Sequence, residues 1–152
     1  MTVRLAQDMG MPVIREYAKR FGIYDNLSPY LPNALGASET TVMRLTAAYA
    51  MLANGGIKIN PTLIDRIQDR YGRTIYKHDA RECVACNAQE WTGQDEPEVI
   101  DNRQVILDPF TAYQMTSMLE GVVQRGTGRA VAAVGKPLAG KTGTTNDEKD
   151  AW

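Results

Sequence analysis

The sequence predicts a domain of mixed α and β structure, because two strongly marked helices flank a set of short β-prone runs. Thr41 can cap the first helix, in which apolar residues recur at spacings of three and four until Asn54-Gly55-Gly56 allows a left-handed exit. Asp108-Pro109, an N-cap followed by a first-turn proline, begins the second helix. The β-prone runs lie between the helices, at residues 57–59, 63–67 and 74–77. The last two runs should form a hairpin.

Two further helices are expected at the start of the chain. Residues 2–9 follow a helical pattern, and Gly10 followed by Pro12 marks the end of that helix and the start of another at about 12–21. The segment 23–37 is rich in asparagine, serine and proline, which predicts an irregular surface crossing.

The helix that begins at Asp108 is expected to bury one apolar face and to end near Gly126. The residues of that face are Ala112, Met115, Leu119 and Val122. Thr127 can then cap a short helix that runs to Ala133, and Gly135 ends it.

Residues 78–104 show no clear period and are expected to form a long, mobile insertion. They contain His78, the only histidine, and a single C-x-x-C formed by Cys83 and Cys86. No second cysteine or histidine pair stands at metal-ligand spacing, so no metal site is predicted. The two cysteines are either free thiols or a local disulfide.

The length and the net charge of the chain limit the classes of function that it can have. At 152 residues the chain has the length of one ordinary domain. Its net charge of −1, from 17 basic and 18 acidic residues, excludes the broad positive surface of a nucleic-acid binder.

No apolar run approaches the length of a bilayer span, which predicts a soluble piece. Residues 2–5 look helical without a preceding cap, so we expect an excised fragment whose parent carries any anchor elsewhere.

The segment 139–146 concentrates a lysine, threonines and glycines, and two chemistries fit it. Gly135, Gly140, Lys141 and Thr142 satisfy the G-x-x-x-x-G-K-[ST] spacing of a phosphate-binding loop. Such a loop needs a strand before it and a helix after it. Here an alanine-rich helical segment precedes it and poor helix formers follow, so nucleotide binding is disfavoured.

The alternative is an extended strand in which β-branched threonines flank a glycine that lets a ligand approach the backbone. The run Gly140–Asn146 and its continuation Lys149–Trp152 resemble the third signature motif of class A, bifunctional penicillin-binding proteins. Further stretches resemble that family's transpeptidase domain in the same order: Arg20–Gly22, Leu35–Glu39, Tyr49–Gly56 and Gly121–Ala130. The resemblance covers residues 1–152 apart from the insertion at about 78–104.

This resemblance implies an α+β penicillin-binding transpeptidase fold, similar to serine β-lactamases, with helices packed on an antiparallel sheet that is incomplete in this chain. It implies a D,D-transpeptidase that cross-links D-Ala-D-Ala stem peptides, binds β-lactams, needs no cofactor, and faces the periplasm from the bacterial inner membrane. By the same resemblance, Lys141 and Thr144 are catalytic, and the substrate-binding residues are Lys141, Thr142, Gly143 and Thr144.

The match departs from the family pattern in one respect. Neither the S-x-x-K motif nor the S-x-N motif is present. Ser28, Ser38 and Ser117 all lack the lysine one helical turn later that would activate a serine. We therefore expect the nucleophile to lie outside this chain, the fragment to be inactive alone, and its fold to be marginal without sheet partners. A non-catalytic binding module of the same fold is the alternative, and a nucleotide-binding loop is the third hypothesis.

Overall fold

The computed structural model describes residues 1–84, 86 and 88–143, and its α+β architecture confirms the predicted fold class. Its α-helices are α1 Thr2–Met9, α2 Met11–Arg20, α3 Val42–Ala53 and α4 Pro109–Arg125. Its strands are β1 Arg66–Gln68, β2 Thr74–Lys77, β3 Glu82–Val84 and β4 Glu98–Ile100. Two short 3-10 helices span Leu31–Leu35 and Arg129–Val134.

The chain divides into two compact units. The first joins Met1–Ile59 to the chain from Val105 onward and contains every α-helix named above. The second, Asn60–Gln104, contains all four strands. None of the helices in the described ranges combines the length and the apolar character that crossing a membrane requires.

The N-terminal helices confirm the predicted helix pair. Gly10, with φ of 82°, separates α1 from α2, and its amide donates to the Ala6 carbonyl at 3.0 Å. A positive φ is the backbone conformation that glycine adopts at least cost, so the chain can reverse here. The second helix begins at Met11, one residue earlier than predicted.

The segment 23–37, which follows α2, contains more regular structure than the irregular surface segment that its sequence predicts. It contains the 3-10 helix Leu31–Leu35, and side chains bind its ends to one another. The Tyr24 hydroxyl donates to the Ser38 carbonyl at 2.6 Å, and the Thr40 hydroxyl donates to the Ile23 carbonyl at 2.8 Å. Partial burial raises the pKa of Tyr24, so this phenol stays protonated and remains a donor at neutral pH.

Helix α3 begins and ends as predicted. The Thr41 hydroxyl accepts a hydrogen bond from the Arg44 amide at 3.2 Å, and Gly55 and Gly56 follow the helix with φ of 70° and 87°. The apolar residues that recur along it are Val42, Leu45, Ala48, Tyr49 and Leu52. Of these, Ala48 is buried, together with Ala47 and Met51, whereas Val42 is 64% exposed. Leu45, Ala48, Tyr49 and Leu52 line an apolar cleft of about 450 Å³ between α2, α3 and α4.

A close backbone contact joins the end of α3 to the start of α4. The Gly56 carbonyl accepts hydrogen bonds from the amides of Ile106 at 2.9 Å and Leu107 at 3.2 Å. A Cβ atom at Gly56 would lie 2.2 Å from the Leu107 carbonyl oxygen, so only glycine fits. The core beside this contact comprises Ala47, Met51 and Ile106, with Phe21, Ile59 and Leu107 packed against it.

One of the β-strand predictions is wrong and the hairpin is confirmed. The run 57–59 forms only an isolated bridge between Ile57 and Val105, because no further residues of the two segments continue the ladder. Strands β1 and β2 pair antiparallel as predicted, although Leu63 and Ile64 lie outside β1. At the turn between them, the Asp69 carboxylate accepts hydrogen bonds from the amides of Tyr71 and Arg73.

The insertion holds a hairpin that its sequence did not predict. Strands β3 and β4 pair antiparallel with Cys83 opposite Val99, and each has only three residues, too few to display a period. Cys83 and Cys86 form a disulfide, which decides between the two alternatives. Of the described residues, no group of histidine, cysteine and carboxylate side chains has the arrangement of a metal site.

Two ion pairs lie at the open end of the β3–β4 hairpin. Arg81 donates to the Asp79 carboxylate, and Arg103 donates to that of Asp101. The guanidinium hydrogen bonds hold the pKa of Asp101 at about 2 and that of Asp79 well below its usual range. Each carboxylate thus has its own arginine, so this cluster is neutralised internally.

Helix α4 starts at the predicted cap. The Asp108 carboxylate accepts hydrogen bonds from the amides of Phe110 at 2.9 Å and Thr111 at 3.1 Å, and Ala112 in the first turn is fully buried. The prediction that Thr127 caps the following short helix is wrong. Gly128 precedes the 3-10 helix Arg129–Val134 without a side-chain cap, because the Thr127 hydroxyl is bonded elsewhere.

Replacing Gly56 by alanine is expected to destabilise the chain by about 2 kcal/mol more than replacing Gly55. Both residues have positive φ, but an alanine Cβ at Gly55 would meet nothing within 4 Å. At Gly56 the Cβ must displace the Leu107 carbonyl and weaken two hydrogen bonds. Denaturant unfolding of Gly56→Ala and the matched Gly55→Ala gives the difference, and equal losses would show that the close contact is unimportant.

Reduction of the Cys83–Cys86 disulfide is expected to loosen β3 and β4 while leaving the helical unit folded. The bridge spans a sequence separation of 3, so it restricts the unfolded chain by only about 2 kcal/mol in the loop-entropy account. Hydrogen exchange with and without dithiothreitol checks this, since only amides in the strands should exchange faster. The Cys83→Ser/Cys86→Ser variant is the control, and lost protection in α3 would contradict the expectation.

Candidate active site

The predicted site follows the 3-10 helix Arg129–Val134 and returns to α4. Gly135, with φ of 68°, ends that helix, and Pro137 follows two residues later. The Gly140 amide then donates to the Leu119 carbonyl of α4 at 3.2 Å. This bond fixes the start of the Lys-Thr-Gly sequence against a rigid element.

Lys141, Thr142 and Gly143 are contiguous and exposed, and Thr144 lies outside the described residues. The predicted strand conformation is not found at Lys141–Gly143, because a strand needs a paired neighbour and the described chain places none beside these residues. The structure thus brings three of the four predicted site residues together at the surface. The role assigned to Thr144 stays a prediction.

The Lys141 ammonium group makes one hydrogen bond to its own segment. Its Nζ donates to the Thr142 carbonyl at 2.5 Å. Among the described residues no carboxylate lies within ion-pair distance of Lys141. An ammonium has three donors, so within the described part of the chain two of its protons have no hydrogen-bond partner and its charge meets no carboxylate.

The Thr142 hydroxyl has a partner that the sequence did not reveal. Its Oγ1 lies 2.6 Å from the Oγ1 of Thr127, and either oxygen can be the donor. Thr127 stands in the loop Gly126–Gly128, directly after α4. The two residues are 15 positions apart, so no local spacing rule could have paired them.

Backbone hydrogen bonds hold the Thr127 loop in place. The amides of Gly126 and Gly128 both donate to the Val122 carbonyl, at 3.1 and 3.0 Å. A Cβ atom at Gly126 would lie 2.9 Å from Val122 backbone atoms, and one at Gly128 would lie 3.3 Å from the same carbonyl oxygen. Two glycines thus let the loop fold tightly onto the end of α4 and present Thr127 to Thr142.

The local geometry argues against a phosphate loop. A phosphate cradle uses free backbone amides, but the Gly140 amide is bonded to Leu119, the Gly135 amide donates to Ala132, and Pro137 has no amide hydrogen. The element before these glycines is a 3-10 helix, not a strand. The Walker-like spacing of Gly135, Gly140, Lys141 and Thr142 therefore does not form that site.

The serines of this chain are not arranged as nucleophiles. The Ser38 hydroxyl donates to the side-chain oxygen of Asn33 at 2.7 Å, and an amide oxygen cannot take up its proton as a base. Asn33 in turn donates to the Ser28 carbonyl at 2.7 Å. Ser28 and Ser117 are exposed. This agrees with the absence of S-x-x-K from the sequence.

Comparison with known proteins identifies the family. The family model described as "Penicillin binding protein transpeptidase domain" matches residues 1–151. Penicillin-binding protein 1A of Rickettsia bellii is 43% identical over 157 residues, covering 100% of this chain and 20% of the relative. Penicillin-binding protein 1A of Neisseria meningitidis is 38% identical, covering 100% of this chain and 17% of the relative. The chain therefore spans about a fifth of the length of these relatives.

A solved structure is also similar. The crystal structure of penicillin-binding protein 1A from Haemophilus influenzae matches with a TM-score of 0.75 and 28% identity, covering 99% of this chain and 25% of that one. The match extends over the helices, both hairpins and the segment that leads to Lys141. The chain thus belongs to the penicillin-binding protein transpeptidase family.

Proposed function

We propose that Lys141–Thr144 form one wall of an acyl-transfer site that recognises the D-Ala-D-Ala end of a peptidoglycan stem peptide. The observation that carries this proposal is the exposed Lys141-Thr142-Gly143 sequence, anchored to α4 through Gly140, in a chain that the transpeptidase family matches over residues 1–151. Penicillins, which mimic that peptide end, are proposed to occupy the same wall.

Each residue of the wall has a distinct proposed role. The Lys141 ammonium lowers the electrostatic cost of the substrate carboxylate and assists proton movement near the nucleophile. The hydroxyls of Thr142 and Thr144 bind the carboxylate. Gly143 lets the peptide lie close to the backbone, and the Thr144 amide supplies one oxyanion donor.

The proposed reaction is acyl transfer through a serine ester. The serine oxygen attacks the carbonyl of the penultimate D-alanine, the bond to the terminal D-alanine breaks, and the serine retains the acyl group. An amine of a neighbouring strand then attacks the ester and takes the acyl group, which forms the cross-link and frees the serine. In a longer protein of this kind, the reaction takes place on the periplasmic face of the inner membrane.

The serine is proposed to come from outside residues 1–152, because no serine here has a lysine at the fourth position. This sequence feature also favours a second candidate, a binding module that keeps the fold without the chemistry. The presence of S-x-x-K and S-x-N upstream in the same reading frame would favour the enzyme, and their absence would favour the binding module.

Taken alone, the 152-residue chain is expected not to form a covalent adduct with a fluorescent penicillin. The physical reason is the lack of an activated serine, since the Ser38 proton is donated to an amide oxygen. Denaturing gel fluorescence checks this, with the Rickettsia bellii relative as the labelled control. A stoichiometric covalent label on the chain would overturn the placement of the nucleophile.

In a chimera that carries residues 1–151 in place of the matching stretch of the Rickettsia bellii relative, Lys141→Ala is expected to slow penicillin acylation by about 100- to 1,000-fold. Lys136→Ala is the matched control, because Lys136 is also exposed and precedes the wall by a few residues. It should label at the parent rate. Stopped-flow labelling measures both rates. Equal rates for the two variants would refute the role of Lys141, and a folded chimera that never labels would refute the proposed function.

A further inference from the structure

We propose that Thr127 is a positioning residue for carboxylate recognition: it donates its hydroxyl proton to Thr142 and thereby directs the Thr142 proton at the substrate. This inference rests on the proposed function of the Lys-Thr-Gly wall. It assigns a role to a residue outside that wall, through the 2.6 Å contact between the two hydroxyl oxygens.

The number of hydroxyl protons limits how this pair can be arranged. A threonine hydroxyl has one proton to donate and two lone pairs with which to accept. Either hydroxyl of the pair can donate to the other. If Thr142 donates to Thr127, the only hydroxyl proton of Thr142 is used. The Thr142 oxygen can then act toward the ligand only as an acceptor, and an acceptor oxygen repels a carboxylate.

A carboxylate can bind only one of the two arrangements of this hydroxyl pair. An ionised carboxylate only accepts hydrogen bonds, so it binds the arrangement in which Thr142 keeps its proton for the ligand. Thr127 must then be the donor to Thr142. A hydrogen bond accepted by a hydroxyl polarises it and strengthens the bond that it donates, so the chain from Thr127 through Thr142 to the carboxylate is cooperative.

Backbone hydrogen bonds to α4 hold the segments of both threonines. Thr127 is held by the two glycine amides that bind the Val122 carbonyl, and Thr142 follows the Gly140 amide that binds the Leu119 carbonyl. Both anchors are carbonyls of α4, separated by less than one helical turn. The two hydroxyls therefore approach each other from one rigid element, and little conformational freedom is lost when the ligand binds.

The position of Lys141 is consistent with this assignment. Its Nζ contacts the Thr142 carbonyl, so the ammonium and the Thr142 hydroxyl belong to one short exposed segment. In this proposal the ammonium and the Thr142 hydroxyl, which belong to adjacent residues, both bind the carboxylate. Thr127 acts only through Thr142 and touches no substrate in this proposal.

The test uses the chimera defined above and two penicillin probes, one with its free carboxylate and one with that group as a methyl ester. Thr127→Val removes the donor and keeps the shape. It should lower the acylation efficiency for the free acid by about 3- to 10-fold and leave that for the ester within about 2-fold. Thr127→Ser restores the hydroxyl and should restore the parent value for the acid.

A double-mutant comparison separates positioning from a purely structural role. In a Thr142→Val background, the further change Thr127→Val should have no more than about a 2-fold effect on the free acid, because its partner is gone. Equal losses for acid and ester, or a full effect in the Thr142→Val background, would show that Thr127 merely supports the loop and would overturn the proposal.

A measurement without activity tests the geometry itself. In the chimera, with its threonine methyl groups isotopically labelled, the side chains of Thr127 and Thr142 should show a nuclear Overhauser contact, and its absence would overturn the inference. The outcomes also distinguish the two proposals. If Lys141→Ala abolishes labelling and Thr127→Val changes nothing, only the positioning role fails, whereas unchanged labelling of Lys141→Ala refutes the wall itself.

Discussion

The contact between Gly56 and Leu107 is the constraint on which the helical unit depends. One carbonyl receives two amides there, and the backbones approach so closely that a single methyl group would collide with an oxygen. The contact joins two segments that are far apart in sequence and lets Met51 and Ile106 meet in the core. Among the described residues of this unit few apolar side chains are buried, so the backbone bonds that align them matter more than they would in a larger core.

Helix α4 connects the contact between Gly56 and Leu107 to the candidate site. Leu107 leads directly to the Asp108 cap, which determines where the helix begins. Carbonyls in the second half of that helix then receive the amides of Gly126, Gly128 and Gly140. A helix is stiff over such a length, so its start determines where the Lys-Thr-Gly segment is held. The site is therefore a surface feature supported by a defined series of backbone bonds.

The sequence predicted the parts of this structure that depend on neighbouring residues. Thr41 and Asp108 were identifiable as caps because a cap bonds to an amide two or three positions later. The same reasoning failed at Thr127, whose local pattern suits a cap but whose hydroxyl meets Thr142 across the fold. The three-residue strands β3 and β4 were missed since pairing, not periodicity, defines them. The predicted site residues came from a motif, whereas the anchoring of their segment on α4 required the structure.

The antiparallel bridge between Ile57 and Val105 brings together the two ends of the segment that separates α3 from α4. The intervening segment leaves the helical unit and returns to it at neighbouring backbone positions, so its ends are already closed by the core. For a flexible loop, doubling the length between closed ends costs only about 0.6 kcal/mol. A change in the length of the segment between these two residues should therefore cost the helical unit little in loop-closure entropy.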